Sequence, residues 1–288
     1  MKDPAPIALE QAPILAREAF ADGQVVLRLH APACAARALP GNFVHLRCDA
    51  LLPLRRPLSL MRADPEAGWI EILFKVVGRG TALLAAKEVG EAIDLLGPIG
   101  HPFIPHPERP RPLLVGGGVG IPPLVFLSQH LRRDSLYLPL ALFGSESPFP
   151  FQPRPSNILV PAMPAGVIAC LPLLDDWGIP SRLASGQGFP GCHPGRVTEL
   201  ARLWLEGLDA PARRQVEIFA CGPHPMLEAV AALAREFAVP AQVSLEEFMA
   251  CGVGGCAGCT VRVETAQGPA MRRVCVDGPV FAAETVFP

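Results

Sequence analysis

The sequence predicts a three-part chain: a small antiparallel β-barrel or sandwich, then an α/β unit on a parallel sheet, then a short cysteine-rich tail. Three observations carry this. The amino-terminal third holds short alternating or β-branched runs broken by Gly and Pro. After a Pro-rich stretch, HPFIPHPERPRP at 101–112, strand-like runs alternate with runs of helical period, as in a parallel sheet faced by helices. From residue 249, in MACGVGGCAGC, three cysteines fall within nine positions. These changes of pattern set boundaries of 1–108, 109–248 and 249–288.

The elements follow in order. ILAREAF and QVVLRLH flank Asp22-Gly23, a turn pair, and read as a hairpin. NFVHLRC alternates apolar and polar positions, and WIEILFKVV is rich in aromatic and β-branched residues, so both read as strands. In the second part LLV leads into a glycine run and then IPPLVFLSQHLRR, which has helical spacing; LYLPLALFG reads as the next strand. The Pro-rich stretch 148–164 is irregular. GRVTELARLWLEG is a helix, QVEIFACG a strand, PHPMLEAVAALAREF a helix and AQVSLEEF a strand. No internal repeat is visible.

Composition narrows the function. Of 288 residues, 50% are apolar and 18% charged, the balance of a core-forming protein. A net charge of −2 gives no electrostatic case for nucleic acid or an anionic membrane. Residues 155–174 carry no charge and could span a bilayer by length, but Pro155, Pro161, Pro164 and Pro172 would break a helix there, so a Pro-rich loop is expected. The start, MKDPAPIALEQAP, lacks the apolar core of a signal peptide, and a cytoplasmic protein is expected. In that compartment nine cysteines serve as thiols or ligands. Cys34, Cys48, Cys170 and Cys192 are scattered and read as packing residues.

The remaining cysteines are organised. Cys251, Cys256, Cys259 and Cys275 give C-x4-C-x2-C…C, the spacing of a plant-type [2Fe–2S] site. Such a cluster needs four thiolates, two per iron, and backbone N–H donors close to its sulfides. Gly252, Gly254, Gly255 and Gly258 let the backbone curl around it, while Ala250, Val253 and Ala257 exclude water without crowding. Zinc is the rival metal, but structural zinc sites usually use two C-x2-C pairs or a pair plus histidines, and this loop has one pair and no His.

RPLLVGGGVGIPP sets Gly116, Gly117, Gly118 and Gly120 between a strand and a helix, where open α/β sheets bind a nucleotide pyrophosphate. A tight strand–helix turn accounts for these glycines about as well. Glu146, in FGSES at the end of the next strand, is placed to bond an adenosine ribose diol and to repel a 2′-phosphate, which favours NAD(H); a solvated loop charge is the equal alternative. FACGPHPM (219–226) ends a third strand; Cys221 has only His224 as an acid–base neighbour in sequence, so packing beside a nicotinamide suits it better than nucleophilic catalysis.

NADH delivers electrons in pairs and a [2Fe–2S] cluster accepts them singly, so a flavin between them is expected. The β-domain is the unassigned place, with RRPLSL (55–60) on a strand and FKVVGRGT (74–81) at a turn. R-P-L-S, V-G-R-G-T, L-G-P-I-G, G-G-G-V-G-I-P-P, C-G-P-H-P-M and the cysteine motif with its trailing V-C-V-D-G-P-V-F occur in this order. With them the chain resembles the electron-transfer subunits of NAD-linked dihydroorotate dehydrogenase, within the ferredoxin–NADP reductase superfamily. The resemblance implies a β-barrel FAD domain, an α/β NAD domain and a small [2Fe–2S] domain. It implies that Arg56, Pro57, Leu58 and Ser59 line the FAD, Arg56 on its diphosphate, with Leu73, Phe74, Lys75, Gly80 and Thr81 completing the site. Gly117, Gly118 and Gly120 would face the NAD pyrophosphate, Cys221 and Gly222 the nicotinamide, and Cys251, Cys256, Cys259 and Cys275 would hold the cluster. Leu58 departs from the superfamily, which often has an aromatic there. The implied partner is a (β/α)8-barrel flavoprotein that oxidises dihydroorotate to orotate, in a hetero-oligomer; the chain has no room for such a barrel of ~250 residues. The alternative is a related reductase subunit serving a hydrogenase, a sulfide dehydrogenase, an oxygenase or a ferredoxin-linked transhydrogenase.

Overall fold

The computed structural model describes residues 7–288; residues 1–6, part of the stretch read for a signal peptide, lie outside them. Ala8–Ala19 (β1) and Gln24–His30 (β2) form the expected hairpin, with Asp22 (φ 59°) and Gly23 (φ 68°) at its tip. Phe43–Arg47 (β3), Arg56–Asp64 (β4), Trp69–Lys75 (β5) and Ala92–Ile99 (β6) follow, and the six close into a barrel in the order β1-β2-β5-β4-β3-β6. The open choice between barrel and sandwich is thus resolved, and closure leaves no free edge. The period-two pattern fills the interior: Val25, Leu27 and Leu29 from β2 meet Ile70, Ile72 and Phe74 from β5, with Val44, Leu46, Ile93 and Leu95.

The second sheet contains Arg111–Gly117 (β7), Leu140–Gly144 (β8), Ser181–Ala184 (β11), Val216–Cys221 (β12) and Ala241–Ser244 (β13), all parallel, in the order β11-β8-β7-β12-β13. Val280–Ala282 (β16), from the cysteine-rich tail, adds antiparallel to β13. Helices Ile121–Leu131, Val197–Glu206 and His224–Phe237 stand where their periodicity predicts them. Two strands are shorter than the sequence suggests. LYLPLALFG pairs only from Leu140, after Pro139 removes a donor, and AQVSLEEF stops at Ser244 because two adjacent glutamates cannot continue into a buried sheet.

The stretch 148–195 carries the short ladder Arg154–Pro155 (β9) with Ala169–Cys170 (β10), the helix Pro172–Asp176 and β11, which the sequence did not reveal. Phe149 packs on Phe151 and Phe189 at 5.2 and 6.2 Å. Residues 155–174 form no long helix, and among the described residues no helix is long and apolar enough to cross a membrane.

Barrel and sheet are tied together. Phe126, on the helix after β7, enters the barrel core, and Gln129 exchanges hydrogen bonds with the backbone of Ala63 on β4. Arg62 lies over Trp69 of the barrel at 5.2 Å and Trp177 of the α/β unit at 5.5 Å.

Candidate functional site

A hairpin assembles the cysteine loop. Thr260–Thr265 (β14) pairs with Gly268–Arg273 (β15), Thr260 opposite Arg273, so residues just outside the two strands meet. That register explains the long gap before the last cysteine: Cys259 precedes β14, Cys275 follows β15, and the Val274 N–H donates to the Cys259 carbonyl at 3.0 Å. The thiols approach in two pairs, Cys251 with Cys256 and Cys259 with Cys275. A two-iron rhomb needs two thiolates per iron, whereas one zinc ion would draw all four to a point. The donor set therefore fits a [2Fe–2S] group.

The two pairs differ in setting. Cys259 and Cys275 are buried; Cys256 is exposed and Cys251 intermediate. Burial, with the Cys259 thiol beside it, pushes Cys275 up to about 12. Burial also opposes ionisation of Cys251, but the N–H groups of Val253, Cys256 and Gly255 and the Cys256 thiol bring it down to about 6. The Val253 N–H lies 3.5 Å from the Cys251 sulfur and the Gly258 N–H 3.4 Å from that of Cys256. Gly252 (φ 69°) and Gly254 (φ 81°) occupy the left-handed region that this curl requires. Arg273 holds the curl from outside, donating to the Gly254 carbonyl at 3.0 Å, while its backbone N–H donates to Asp277 at 2.7 Å.

The loop is anchored on both neighbours. Through β16 the tail joins the parallel sheet. Toward the barrel, the His101 N–H donates to the Gly278 carbonyl at 2.6 Å, and a Cβ on Gly100 would lie 2.4 Å from Pro279. On β3, Val44 and Leu46 face the barrel core while Phe43 and His45 face the other way, and Phe43 shares a core with Cys259, Val274 and Cys275. His45 is 0% exposed, and neither ring nitrogen makes a well-formed hydrogen bond, although the backbones of Met249 and Cys251 face the ring. A Cβ on Gly252 would lie 2.7 Å from its Nδ1. Burial, with Arg55 nearby, lowers its pKa to about 4, so the ring is neutral. Sequence reasoning missed His45: in FVHLR it is one polar residue of an alternating strand, and nothing local shows that its face meets the cysteine loop.

Across β3 lies the flavin face expected from the sequence. Arg56, Pro57, Leu58 and Ser59 are all half-buried along β4, opposite Leu46, His45, Val44 and Phe43. Arg56 donates through Nη1 to the carbonyls of Leu54 (2.8 Å) and Arg55 (3.2 Å) and lays its Nε–Nη2 edge on Gly80, where a Cβ would come within 2.8 and 2.9 Å of those atoms. Thr81 fixes this turn: its hydroxyl accepts from the N–H groups of Val77 (3.0 Å) and Gly78 (3.2 Å) and donates to the Gly78 carbonyl. A guanidinium edge set on a glycine turn in this way is a group that could serve a diphosphate. Phe74 turns into the barrel core and Leu73, also buried, points the opposite way. Lys75 pairs with Asp22 and donates to Ser147 at 3.2 Å, joining the barrel to the loop after β8. Leu58 packs on the barrel core as an aliphatic surface.

At the carboxyl ends of β7 and β12 the two glycine turns touch. A Cβ on Gly117 would lie 2.6 Å from Met226, one on Gly222 also 2.6 Å from Met226, and one on Gly120 2.3 Å from the Cys221 carbonyl. Gly120 is required by backbone contact, while Gly117 and Gly222 are crowded by the Met226 side chain; Gly118 (φ 55°) has open space around it and is free to meet a ligand. Cys221 is fully buried, and burial with Glu246 nearby raises its thiol well above the usual range, which disfavours the thiolate. Beside Gly222 opens a cavity of about 380 Å³ bordered by His224, Glu246 and Arg262. The Glu246 residue reaches solvent, yet desolvation of its carboxyl raises its pKa. One of two consecutive glutamates after a strand, it carries no sequence signal of its own. Glu146 is exposed beyond β8, and a Cβ on Gly186, in the loop after β11, would lie 3.3 Å from its carboxylate, so it stands between two strand ends.

A profile described as the iron–sulfur cluster binding domain of dihydroorotate dehydrogenase B matches residues 246–287. The chain is 37% identical over 247 residues to the electron transfer subunit of dihydroorotate dehydrogenase B (NAD+) of Shouchella clausii, covering 84% of each. It is 34% identical over 285 residues to that of Geobacillus thermodenitrificans, covering 97% of this chain and 99% of the relative. Among solved structures, one of an NADH-dependent reduced ferredoxin-NADP oxidoreductase superposes with a TM-score of 0.76 at 28% identity, over 99% of this chain and 91% of the other. The ferredoxin reductase of carbazole 1,9a-dioxygenase shares the fold with a TM-score of 0.63 at 21% identity, over 82% and 67% of the two chains.

Proposed function

The chain belongs to the electron transfer subunits of NAD-linked dihydroorotate dehydrogenase B, and from that premise we propose that it carries electrons between a catalytic flavoprotein, which oxidises dihydroorotate to orotate, and NAD. Its resident groups are FAD and a [2Fe–2S] cluster. The observation that carries the proposal is the pairing of four thiols, two by two, in a loop packed against the outer face of a strand that neighbours the flavin face. Bound together, FAD and the cluster supply the exchange between paired and single electrons.

The chain's own residues do the rest. Arg56, with Gly80 beneath it, holds the diphosphate; Pro57, Leu58, Ser59, Leu73 and Lys75 flank the ring, Phe74, expected there from the sequence, instead backs the strand from inside the barrel, and Thr81 keeps the turn in shape. Gly118 approaches the NAD pyrophosphate, while Gly117, Gly120 and Gly222 bring the two turns close enough to hold Cys221 beside the nicotinamide. Cys221 as a neutral thiol excludes water there and adds no charge. Glu146 selects NAD by its ribose. The exposed pair, Cys251 and Cys256, lies in a loop preceded by Phe248, which is 94% exposed, and carrying Val253, also exposed; this apolar rim suits the flavoprotein partner in a hetero-oligomer. We take the divisions 1–108, 109–248 and 249–288 as folding units, which limited proteolysis of the cluster-free protein tests. The nine unbridged cysteines suit a cytoplasmic setting.

The test is anaerobic purification with iron, sulfide and flavin analysis, and co-purification of a partner. Two irons, two sulfides and one FAD per chain, with a barrel flavoprotein that reduces NAD on addition of dihydroorotate, is the expected result. Zinc without flavin would overturn it. The likeness to the ferredoxin-NADP oxidoreductase structure favours one second reading, a subunit of a ferredoxin-linked transhydrogenase, and a ferredoxin-reducing partner in the co-purified complex would establish that instead.

A further inference from the structure

His45 is a polar side chain with no role in the scheme above. It is sealed between β3 and the cysteine loop, neither ring nitrogen makes a well-formed hydrogen bond, and a buried donor without an acceptor is rare in a folded protein. The surroundings leave one source of acceptors. Across the sheet stand Pro57 on β4, which has no N–H, and Leu96 on β6. Arg55 and Arg56, the charged groups acting on the ring, are donors only. The backbones of Met249 and Cys251 face the ring, and Gly252 packs so closely on Nδ1 that a side chain there would collide with it.

We propose that His45 is a positioning residue for the iron–sulfur centre: with the cluster in place, its imidazole donates one ring N–H to a backbone carbonyl between Met249 and Cys251, and so fixes the Cys251 thiolate relative to the barrel. This rests on the cluster reading above. The physical logic is that of an outer-shell partner. The loop holding Cys251 is built of Gly, Ala and Val and has few side chains with which to hold itself, so a rigid strand lends it one. The barrel strand that bears His45 is also paired with the strand carrying Arg56 and Ser59, so cluster and flavin are registered to one rigid element.

The test uses the full chain, purified anaerobically with FAD and cluster, as His45→Phe and His45→Asn. Phe fills the space without a donor; Asn restores a donor close to Nδ1. In His45→Phe the cluster should pass to an iron chelator roughly 10- to 100-fold faster, the usual loss for an outer-shell partner, and the electron paramagnetic resonance g-values of the reduced cluster should shift, with FAD content unchanged. His45→Asn should restore both. Wild-type release rate and g-values in His45→Phe, or an Asn variant no better than Phe, would overturn the proposal. Should His45→Phe fail to accumulate, wild-type protein labelled with ¹⁵N-histidine decides: a ¹⁵N coupling to the reduced cluster in pulsed resonance supports the contact, and its absence overturns it. Failure of the cluster reading itself is distinguishable, because the wild type would then hold no iron or sulfide.

Discussion

Gly80→Ala separates stability from flavin binding in a way few substitutions can. Gly80 has no left-handed backbone, so alanine fits the chain there, and in the helix Arg79–Ala85 the change favours folding by roughly 0.5–1 kcal/mol. The new Cβ would stand 2.8 Å from Nε and 2.9 Å from Nη2 of Arg56. Those atoms end a flexible side chain, so the guanidinium swings aside at small cost to the fold. It then leaves the cradle in which it would hold the FAD diphosphate. A hydrogen bond to a charged group contributes roughly 1.5–3 kcal/mol, so FAD affinity should fall about 10- to 150-fold. The assay is fluorescence titration of FAD into flavin-stripped protein, beside thermal melts of the same material. The expected result is weaker binding with a melting temperature equal to or above that of the wild type. The double variant with Arg56→Ala completes a cycle: once Arg56 is gone, Gly80→Ala should cost nothing further, within about 0.5 kcal/mol. Undiminished affinity in Gly80→Ala, or additive losses in the double variant, would refute the reasoning; additivity would mean that the Cβ blocks the ligand directly.

Cys256→Ser should remove the iron–sulfur absorbance and leave reduction of the flavin by NADH measurable in stopped flow; loss of flavin reduction in folded protein would place the cluster between NAD and flavin instead. Glu146→Ala should lower the ratio of kcat/KM for NADH over NADPH, and an unchanged ratio would remove Glu146 from the nucleotide site. Glu246→Gln carries a pH signature in flavin-stripped protein. Desolvation raises the folded pKa of Glu246, so its contribution is fully present below the unfolded value and is lost as pH rises through the folded one. The glutamine variant should therefore melt above the wild type at neutral pH and match it in acid; a gap that is constant across pH would show that the carboxyl does not titrate as its burial implies. Gly120→Ala should destabilise by about 1–3 kcal/mol or more, because its Cβ would meet the Cys221 carbonyl at 2.3 Å and backbone cannot swing aside; a wild-type denaturant midpoint would contradict the contact.

What could be read from the chain follows from what is local. Ala8–Ala19 and Gln24–His30 were legible as a hairpin because Asp22-Gly23 provides its turn, and His224–Phe237 because its apolar positions recur with helical period. The cysteine ligands were legible because thiols at fixed spacing are chemistry written in sequence. Val280–Ala282 was hidden: three residues have no period, and only docking on Ala241–Ser244 makes them a strand. Ser181–Ala184 was hidden in the same way, since its four residues become a strand by pairing with Leu140–Gly144. Gly117 and Gly120 illustrate a subtler limit. Their sequence suggests ligand contact, but what crowds Gly117 is the Met226 side chain and what forbids a side chain at Gly120 is the Cys221 carbonyl, both about one hundred residues away. His45 and Glu246 were invisible because their meaning depends on which surface lands on them.

The tail's attachment bears on how the three parts act as one. Electron exchange between two bound groups needs a fixed separation, and a domain on a flexible linker would not provide it. Here the tail is stitched to the parallel sheet by β16, to the barrel exit by the His101–Gly278 hydrogen bond, and to β3 by the close packing of His45 on Gly252. The barrel and sheet are in turn joined through Phe126, Gln129 and the Arg62 bridge between two tryptophans. Each link is modest alone, but together they triangulate the cysteine loop against both neighbours. Motion that separated the loop from the barrel would break the hydrogen bond at His101 and expose His45, so the lowest-energy opening of this region is the rim around Cys256, where the chain is already exposed. That rim is the surface the proposed function would offer to a partner, and the buried pair Cys259–Cys275 is the side packed into the core.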